Sequence, residues 1–157
     1  MKYSVFLILL IIEEDFRSDN LVINEVKNRG LSANDEFIEI YNPTNSQIDL
    51  SNYSIQYRGS NSLNFSKKNF NFGNIIPSLG YFLVACGDYT GSTTPDMTQS
   101  TFNLSGIGGN IFLVSSQDLL SNETATSSLA IDRLAYGAGD YLFPEANAYI
   151  TVPGDNQ

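Results

Sequence analysis

Histidine is absent from the 157 residues, and cysteine occurs once, as Cys86. The absence of histidine excludes a Ser-His-Asp triad and removes the commonest zinc ligand. A single cysteine cannot form an intrachain disulfide, and the apolar stretch YFLVACG around it predicts a buried strand residue rather than a nucleophile. We therefore expect no catalytic residue, no metal site and no cofactor.

Basic residues are also scarce, with 8 Lys and Arg against 17 Asp and Glu and a net charge of −9. A nucleic-acid surface needs clustered Lys and Arg side chains to neutralise phosphates. The adjacent pair Lys67 and Lys68 is predicted to lie in a solvated loop rather than at such a surface. The charge balance argues against a nucleic-acid partner.

The N-terminus combines Lys2 with an apolar run at 5–12, which resembles the first two regions of a secretory signal peptide. The run is too short to cross a bilayer, so we expect no integral membrane span. The alternative is an apolar N-terminal strand packed on the domain. We predict a signal-peptide-like segment at 1–12, a linker at 13–19 and an extracellular or cell-surface location.

The rest of the chain lacks helical periodicity and consists of short β-rich runs closed by Gly, Pro, Asn or Asp. This spacing predicts one all-β domain over 20–157, with its core at 20–137 and a tail at 138–157. We expect a Greek-key β-sandwich of seven to nine strands. Predicted strand regions are 20–27, 36–42, 47–58, two runs in 74–87, two short strands in 101–116, and 129–137; predicted loops are 59–72, 88–100 and 117–128.

Two turns can be predicted in chemical detail. In the PSLG turn at 77–80, Pro77 fixes φ and Gly80 supplies the conformational freedom needed to leave the turn. Asp49 is predicted to bend the chain near Ser51 by accepting a hydrogen bond from a nearby backbone N–H.

Glu39 lies inside the predicted strand 36–42, on the face that alternates with two isoleucines. An ionised carboxylate against apolar neighbours is costly unless it is hydrogen-bonded or paired. We predict that Glu39 anchors an adjoining loop by accepting bonds from Ser51, Tyr53 or the 42–46 turn.

Alternation in LVINEV places Leu21, Ile23 and Glu25 on one face and Val26 on the other. If the first two strands pair, Glu25 and Glu39 are about 5 Å apart at Cβ, close to the carboxylate separation of about 5–5.5 Å in a retaining glycosidase. Such a site also needs a cleft lined by aromatic residues, and a small sandwich without tryptophan offers little room for one. A carbohydrate-binding or carbohydrate-active fragment that uses this pair is therefore the alternative function.

A calcium-binding variant of that alternative would use SANDE at 32–36 and GDYTGS at 87–92. Calcium takes six to eight oxygen ligands, and neither stretch has the D-x-[DN]-x-[DN]-G spacing of a calcium loop. Local turns closed by the side chains of Asn34, Asp35 and Asp88 are the preferred interpretation.

Five stretches in order resemble the lamin-tail domain: LVINEV, DEFIEIYNPTNSQIDLSNYSIQY, IIPSLGYFLVAC, NLSGIGGNIFLVSSQD and IDRLAYG. The resemblance covers roughly 20–137. Its most specific part is E-F-[IV]-E-[IL]-Y-N-P followed by D-L-S-x-[YW]-x-[IL], which 36–43 and 49–55 match. Tyr53 stands where the family usually has tryptophan, which keeps a large ring and adds a hydroxyl.

The resemblance implies an immunoglobulin-like sandwich that is a non-catalytic module. Such modules are attached to filament-forming rods in nuclear lamins and to secreted nucleases, hydrolases or lipoproteins in bacteria. We therefore expect an interaction or structural module of an exported or surface protein, not an enzyme. Its protein or surface partner would bind at sheet edges or loop ends, and we also expect weak self-association through edge strands.

Overall fold

The computed structural model describes residues 20–29 and 34–144, and the predicted segments 1–12 and 13–19 lie outside them, as does the end of the tail. The described residues form ten strands and no helix, so they include no helix able to cross a membrane. The strands are β1 (Val22–Lys27), β2 (Asp35–Tyr41), β3 (Ile48–Asp49), β4 (Ser54–Gly59), β5 (Ser66–Asn69), β6 (Ile75–Ile76), β7 (Tyr81–Gly87), β8 (Met97–Gln99), β9 (Gly108–Val114) and β10 (Ala130–Gly137).

Two four-stranded sheets make up the sandwich. The first sheet has the order β1-β2-β7-β8, the second has the order β10-β9-β4-β5, and β3 pairs with β6 in a small separate ladder. The strand pairs are antiparallel except β7–β8. At one side, the Ile23 N–H of β1 donates to Asp132 Oδ2 of β10. The predicted all-β, immunoglobulin-like sandwich is confirmed, with more strands than the seven to nine expected because β3, β6 and β8 are very short.

The main core lies between the two sheets and follows the period-two alternation of their strands. Phe82, Val84 and Cys86 of β7 are buried in it, and the burial of Cys86 was predicted from the apolar stretch YFLVACG. Each fully buried large aliphatic side chain contributes about 1.5–3 kcal/mol relative to an exposed one. The other strand residues of this core are Ile38, Ile40, Ile55, Tyr57, Met97, Ile111, Leu113, Tyr136 and Ile76.

A β-bulge in β1 changes which side chains face this core. Ile23 lies opposite Ile40 and Glu25 lies opposite Glu39, so Asn24 is an extra residue in the ladder. The extra residue shifts the alternation by one position. Val26 therefore packs against the main core together with Ile23, and Glu25 is exposed. The prediction that Val26 and Ile23 point to opposite faces of the sheet was wrong for this reason.

Two predicted loops contain edge strands. Region 59–72 holds β5, which includes Lys67 and Lys68, and region 88–100 holds β8. Both strands are short, have at most one apolar residue and pair through their backbones on one side only, so apolar alternation gave no signal for them. Conversely, 101–116 contains one strand, β9, where two were predicted.

The two predicted turns form, one of them with different chemistry. Ser51 N–H donates to Asp49 Oδ1 at 2.8 Å, which confirms the bend. In the PSLG turn the Gly80 N–H donates to the Pro77 carbonyl at 3.1 Å, but Leu79 has the positive φ, of 53°. A Cβ at Gly80 would lie 3.0 Å from the Pro77 ring, so glycine allows close approach here rather than an unusual φ.

The second sheet is covered on its outer face as well. Ser54, Gln56 and Arg58 of β4 point to this face and are buried. Segment 116–129 folds over them: Gln56 Nε2 donates to the Asp118 carbonyl at 2.7 Å, and Gln56 Oε1 accepts from a backbone N–H at 2.8 Å. Below this segment lies a small outer cluster, consisting of Phe112, Val114, Leu120 and Ala125 with Phe65, Ala130 and Phe143 packed against it.

Candidate functional site

The pair Glu25 and Glu39, which the alternative function would use, lies on the outer face of the first sheet. The two residues are opposite each other in the β1–β2 ladder, and Glu25 is exposed. Glu39 Oε1 accepts a hydrogen bond from Asn24 Nδ2 at 2.7 Å. Its partner is thus the bulge residue and not the loop or turn groups that the sequence suggested.

Asn42 performs the loop-anchoring role that had been assigned to Glu39. It is fully buried, and its Nδ2 donates to the Ser46 and Pro77 carbonyls at 2.7 and 2.8 Å. Its Oδ1 accepts from Thr44 N–H at 3.0 Å. One amide therefore joins the turn after β2 to the turn before β7. The available signal was the N-P step at the strand end, where an asparagine side chain commonly bonds turn backbone.

Replacing Glu39 by glutamine is expected to change the free energy of unfolding by less than about 1 kcal/mol. The side-chain carbonyl of glutamine can still accept the Asn24 hydrogen bond. The change also removes one of two like charges that lie directly opposite each other in the ladder. The change should be stabilising at low ionic strength and should shrink in about 1 M salt, where the Debye length is about 3 Å. Urea denaturation at the two ionic strengths measures it. A loss above about 2 kcal/mol would contradict the assignment of Glu39 to a solvent-facing contact.

The two acidic loops considered for calcium are joined directly. Asp35 is buried, and its carboxylate accepts from the Thr90 N–H at 2.9 Å, from the Thr90 hydroxyl at 2.8 Å and from Lys27 Nζ at 2.8 Å. This contact spans 55 positions, a longer range than the local turn predicted for Asp35. Across 20–29 and 34–144, no group of three or more His, Cys, Asp or Glu side chains is placed to hold a metal ion.

Glu36 is the carboxylate that the structure places in the core. It is fully buried, and its Oε2 accepts from the Leu104 N–H at 2.8 Å. Burial raises the pKa of Glu36, and the Leu104 hydrogen bond opposes the shift. Its Oε1 is buried without a partner among the described residues. Glu36 thus ties β2 of the first sheet to the segment that leads into β9 of the second.

The thiol of Cys86 lies opposite Glu36 in the β2–β7 ladder and is fully buried, as predicted. Burial, together with the neighbouring Glu36 charge, raises the pKa of Cys86 to about 12. We expect the native protein at pH 8 to react with a disulfide reagent only as fast as it unfolds. In the folded chain the Cys86 thiol is protonated, and the reagent cannot reach it. Stopped-flow labelling with and without urea tests this, and complete labelling of the folded chain within seconds would contradict it.

An open groove of about 620 Å³ runs beside edge strand β5. One wall is β5 and the other is segment 101–105, with Tyr57, Phe102 and Leu104 among the residues that line it. Lys68 Nζ donates to Thr101 Oγ1 at 2.9 Å across the groove. Neither Glu25 nor Glu39 lines this groove. Sequence reasoning missed it because it treated 59–72 as a loop.

The backbone of β5 offers hydrogen-bonding groups at this open edge. The Phe70 N–H donates to the Tyr53 carbonyl at 3.1 Å, so these two residues form a bonded pair at the end of the β4–β5 ladder. Bonded and non-bonded pairs alternate in an antiparallel ladder. The N–H groups of Lys67 and Asn69 are therefore directed away from β4, in the direction from which another strand would pair.

Comparison with known families identifies a family whose model matches most of the chain. The family model for the Lamin Tail Domain matches residues 15–138, a range that contains all ten strands. A search of curated proteins finds no match to the chain. The matched range includes the E-F-I-E-I-Y-N-P and D-L-S-x-Y-x-I steps, together with buried Glu36 and the β5 groove.

Proposed function

Because the chain belongs to the lamin tail domain family, we propose that it is a non-catalytic interaction module that binds an extended segment of a partner protein along β5. The observation that supports this most is the edge of β5: the Lys67 and Asn69 N–H groups point outward there, and the strand forms one wall of the groove. A segment pairing there would gain backbone hydrogen bonds from the edge and side-chain contacts from the groove. The pair Glu25 and Glu39 lies on the other sheet and lines no part of the groove.

The groove also favours one kind of segment. Lys67 and Lys68 border it in a chain whose net charge is −9. Lys68 bonds to a neutral hydroxyl, and Lys67 Nζ donates to the Gln117 carbonyl, so neither ammonium contacts a carboxylate in the described part of the chain. Half-buried ammonium groups without a carboxylate partner attract a segment with carboxylates at matching positions. The expected partner is an extended acidic segment.

A peptide library displayed on phage and selected on the full chain tests this function. Selected peptides are measured against Lys67→Pro, which removes one outward N–H, and against Lys67→Ala, which keeps that N–H and removes the side chain. Lys67→Pro should weaken binding by about tenfold or more, the effect of losing a good hydrogen bond at an interface, and Lys67→Ala by less. Binding at this edge would be refuted if the selected peptides bind Lys67→Pro as tightly as Lys67→Ala. It would also be refuted if the selection yields no extended acidic peptides.

We propose further that the module is exported, on the basis of the apolar run at 5–12 that follows Lys2. Residues 1–19 fused to alkaline phosphatase, which is active only outside the reducing cytoplasm, provide the measurement. Activity is expected from the fusion and should be lost when Leu9→Arg places a charge in the apolar run. A fusion as inactive as its Leu9→Arg control would refute export.

A further inference from the structure

Residues 141–143 occupy a cleft on the outer face of the second sheet. Arg58 lies at the centre of this cleft and is almost fully buried. Its Cζ is 5.0 Å from the ring centre of Tyr141, 4.8 Å from that of Phe143 and 5.2 Å from that of Phe65. Aromatic rings at such distances attract a guanidinium through the negative charge of their faces.

The rest of the guanidinium is held by neutral oxygens. Arg58 Nε donates to the Ser62 carbonyl at 2.6 Å, and Nη1 donates to Asn122 Oδ1 at 2.5 Å. Among the described residues, no carboxylate pairs with this charge. The two rings of 141–143 thus provide a large part of the environment that stabilises a buried cation.

Asn110 binds the backbone of the same segment. Its Nδ2 donates to the Tyr141 carbonyl at 2.9 Å, and its Oδ1 accepts from the Phe143 N–H at 2.6 Å. The Tyr141 N–H also donates to the Ser60 carbonyl at 2.9 Å. In an extended segment the side chains of positions i and i+2 point the same way, which brings both rings onto Arg58. Backbone and side chains of 141–143 are therefore both recognised.

We propose that this Arg58 cleft is a binding site for an extended segment with aromatic residues two positions apart, filled here by residues 141–143 and able to accept the same segment from a second copy of the chain. The recognition uses Asn110, Ser60 and the guanidinium, and none of these contacts depends on the segment belonging to the same molecule. Exchange of an identical segment between two copies of the chain preserves every contact that the segment makes.

The resident tail has an advantage over a second copy. A short tether gives an effective concentration of about 1 mM, so a segment in trans competes poorly until the resident tail is displaced. Gly139 offers a way to displace it. Its φ is +154°, and a Cβ built on it would lie 2.5 Å from Ser60 Cβ and 2.6 Å from Ser60 Oγ. Gly139→Ala should exclude the tail from the cleft and leave Arg58 and Asn110 in place.

The test uses the full chain and a fluorescent peptide of residues 138–144, AGDYLFP, followed by anisotropy. The peptide should bind Gly139→Ala about tenfold or more tightly than it binds the wild type, because the tethered competitor is gone. Gly73→Ala is the matched control: its φ is +87°, nothing lies within 4 Å of the added Cβ, and it should behave as the wild type. A peptide with both aromatic residues changed to alanine should bind none of the three.

A second variant tests the proposal in case Gly139→Ala fails to fold. The double change Tyr141→Ala and Phe143→Ala keeps the glycine turn and should also bind the wild-type peptide more tightly than the wild-type chain does.

Independently, the wild-type chain is titrated with peptide to several times the effective concentration of about 1 mM. The backbone N–H NMR signals of the resident Tyr141 and Phe143 should shift, because the unlabelled peptide displaces these residues of the labelled chain from the cleft. Unmoved signals, or folded tail variants that bind no more tightly than the wild type, would overturn the proposal.

Discussion

Arg58→Ala is expected to lower the free energy of unfolding by about 3–5 kcal/mol, the range of large-to-small changes at fully buried positions. The change removes the guanidinium from between three aromatic rings and leaves a cavity under the tail. It also removes the donors to the Ser62 carbonyl and Asn122 Oδ1. Burial lowers the pKa of Arg58 and the Tyr141 contact opposes the shift, but arginine stays protonated in proteins, so the wild-type site holds a charge at neutral pH.

Urea denaturation of Arg58→Ala, Arg58→Lys and Lys67→Ala measures this effect. Arg58→Lys retains the charge but cannot present a planar fork to two acceptors, so its loss should be intermediate. Lys67 is only partly buried and makes one side-chain bond, so Lys67→Ala should cost about 0.5–1.5 kcal/mol, the typical worth of one hydrogen bond. A loss below about 1 kcal/mol for Arg58→Ala would contradict the buried-cation arrangement.

Glu36→Ala is expected to cost about 2–3 kcal/mol, since it leaves the Leu104 N–H without its acceptor and opens a gap in the core. Glu36→Gln keeps an acceptor for that N–H. Comparing the two variants therefore separates the contribution of the Leu104 hydrogen bond to stability from that of the Glu36 charge. Guanidinium denaturation at pH 7 provides the comparison, and equal losses for both variants would mean that the Leu104 bond contributes little.

The pH dependence of the Glu36→Gln variant follows from the direction of the pKa shift. Burial raises the pKa of folded Glu36 above its ordinary value of 4.5, so the folded chain binds this proton more tightly than the unfolded chain does. Its favourable contribution is fully present below the unfolded pKa and is lost as pH rises through the folded pKa. The stability of Glu36→Gln relative to the wild type should therefore increase between pH 4 and pH 8. Urea denaturation across that range tests this, and a constant difference would rule out a raised pKa.

Apolar alternation predicted the strands that contribute to the main core. β2, β7 and β9 each have several buried apolar side chains, and their runs were recognised from the sequence. β5 and β8 were not recognised, because SKKN and MTQ owe their conformation to backbone pairing with a neighbour. The bulge at Asn24 is likewise a property of the paired ladder and not of β1 alone.

The burial of two charged residues differs in how far it could be predicted from the sequence. Glu36 shares its period-two face with Ile38 and Ile40, so its burial could have been inferred from the same alternation that located the core. Arg58 could not have been found in this way. It alternates with Ser54 and Gln56 in a pattern typical of a solvent-facing strand, and it is buried only because 116–129 and the tail fold over that face.

The bond between Ile23 N–H of β1 and Asp132 Oδ2 of β10 joins residues 109 positions apart. The β2–β7 and β4–β9 pairings are also between distant parts of the chain. Folding is slow when native contacts are mainly non-local, on the order of milliseconds to seconds for all-β sandwiches, because the loops must close before the contacts form. During synthesis the Ile23–Asp132 bond therefore cannot form until β10 has left the ribosome, long after β1 has emerged.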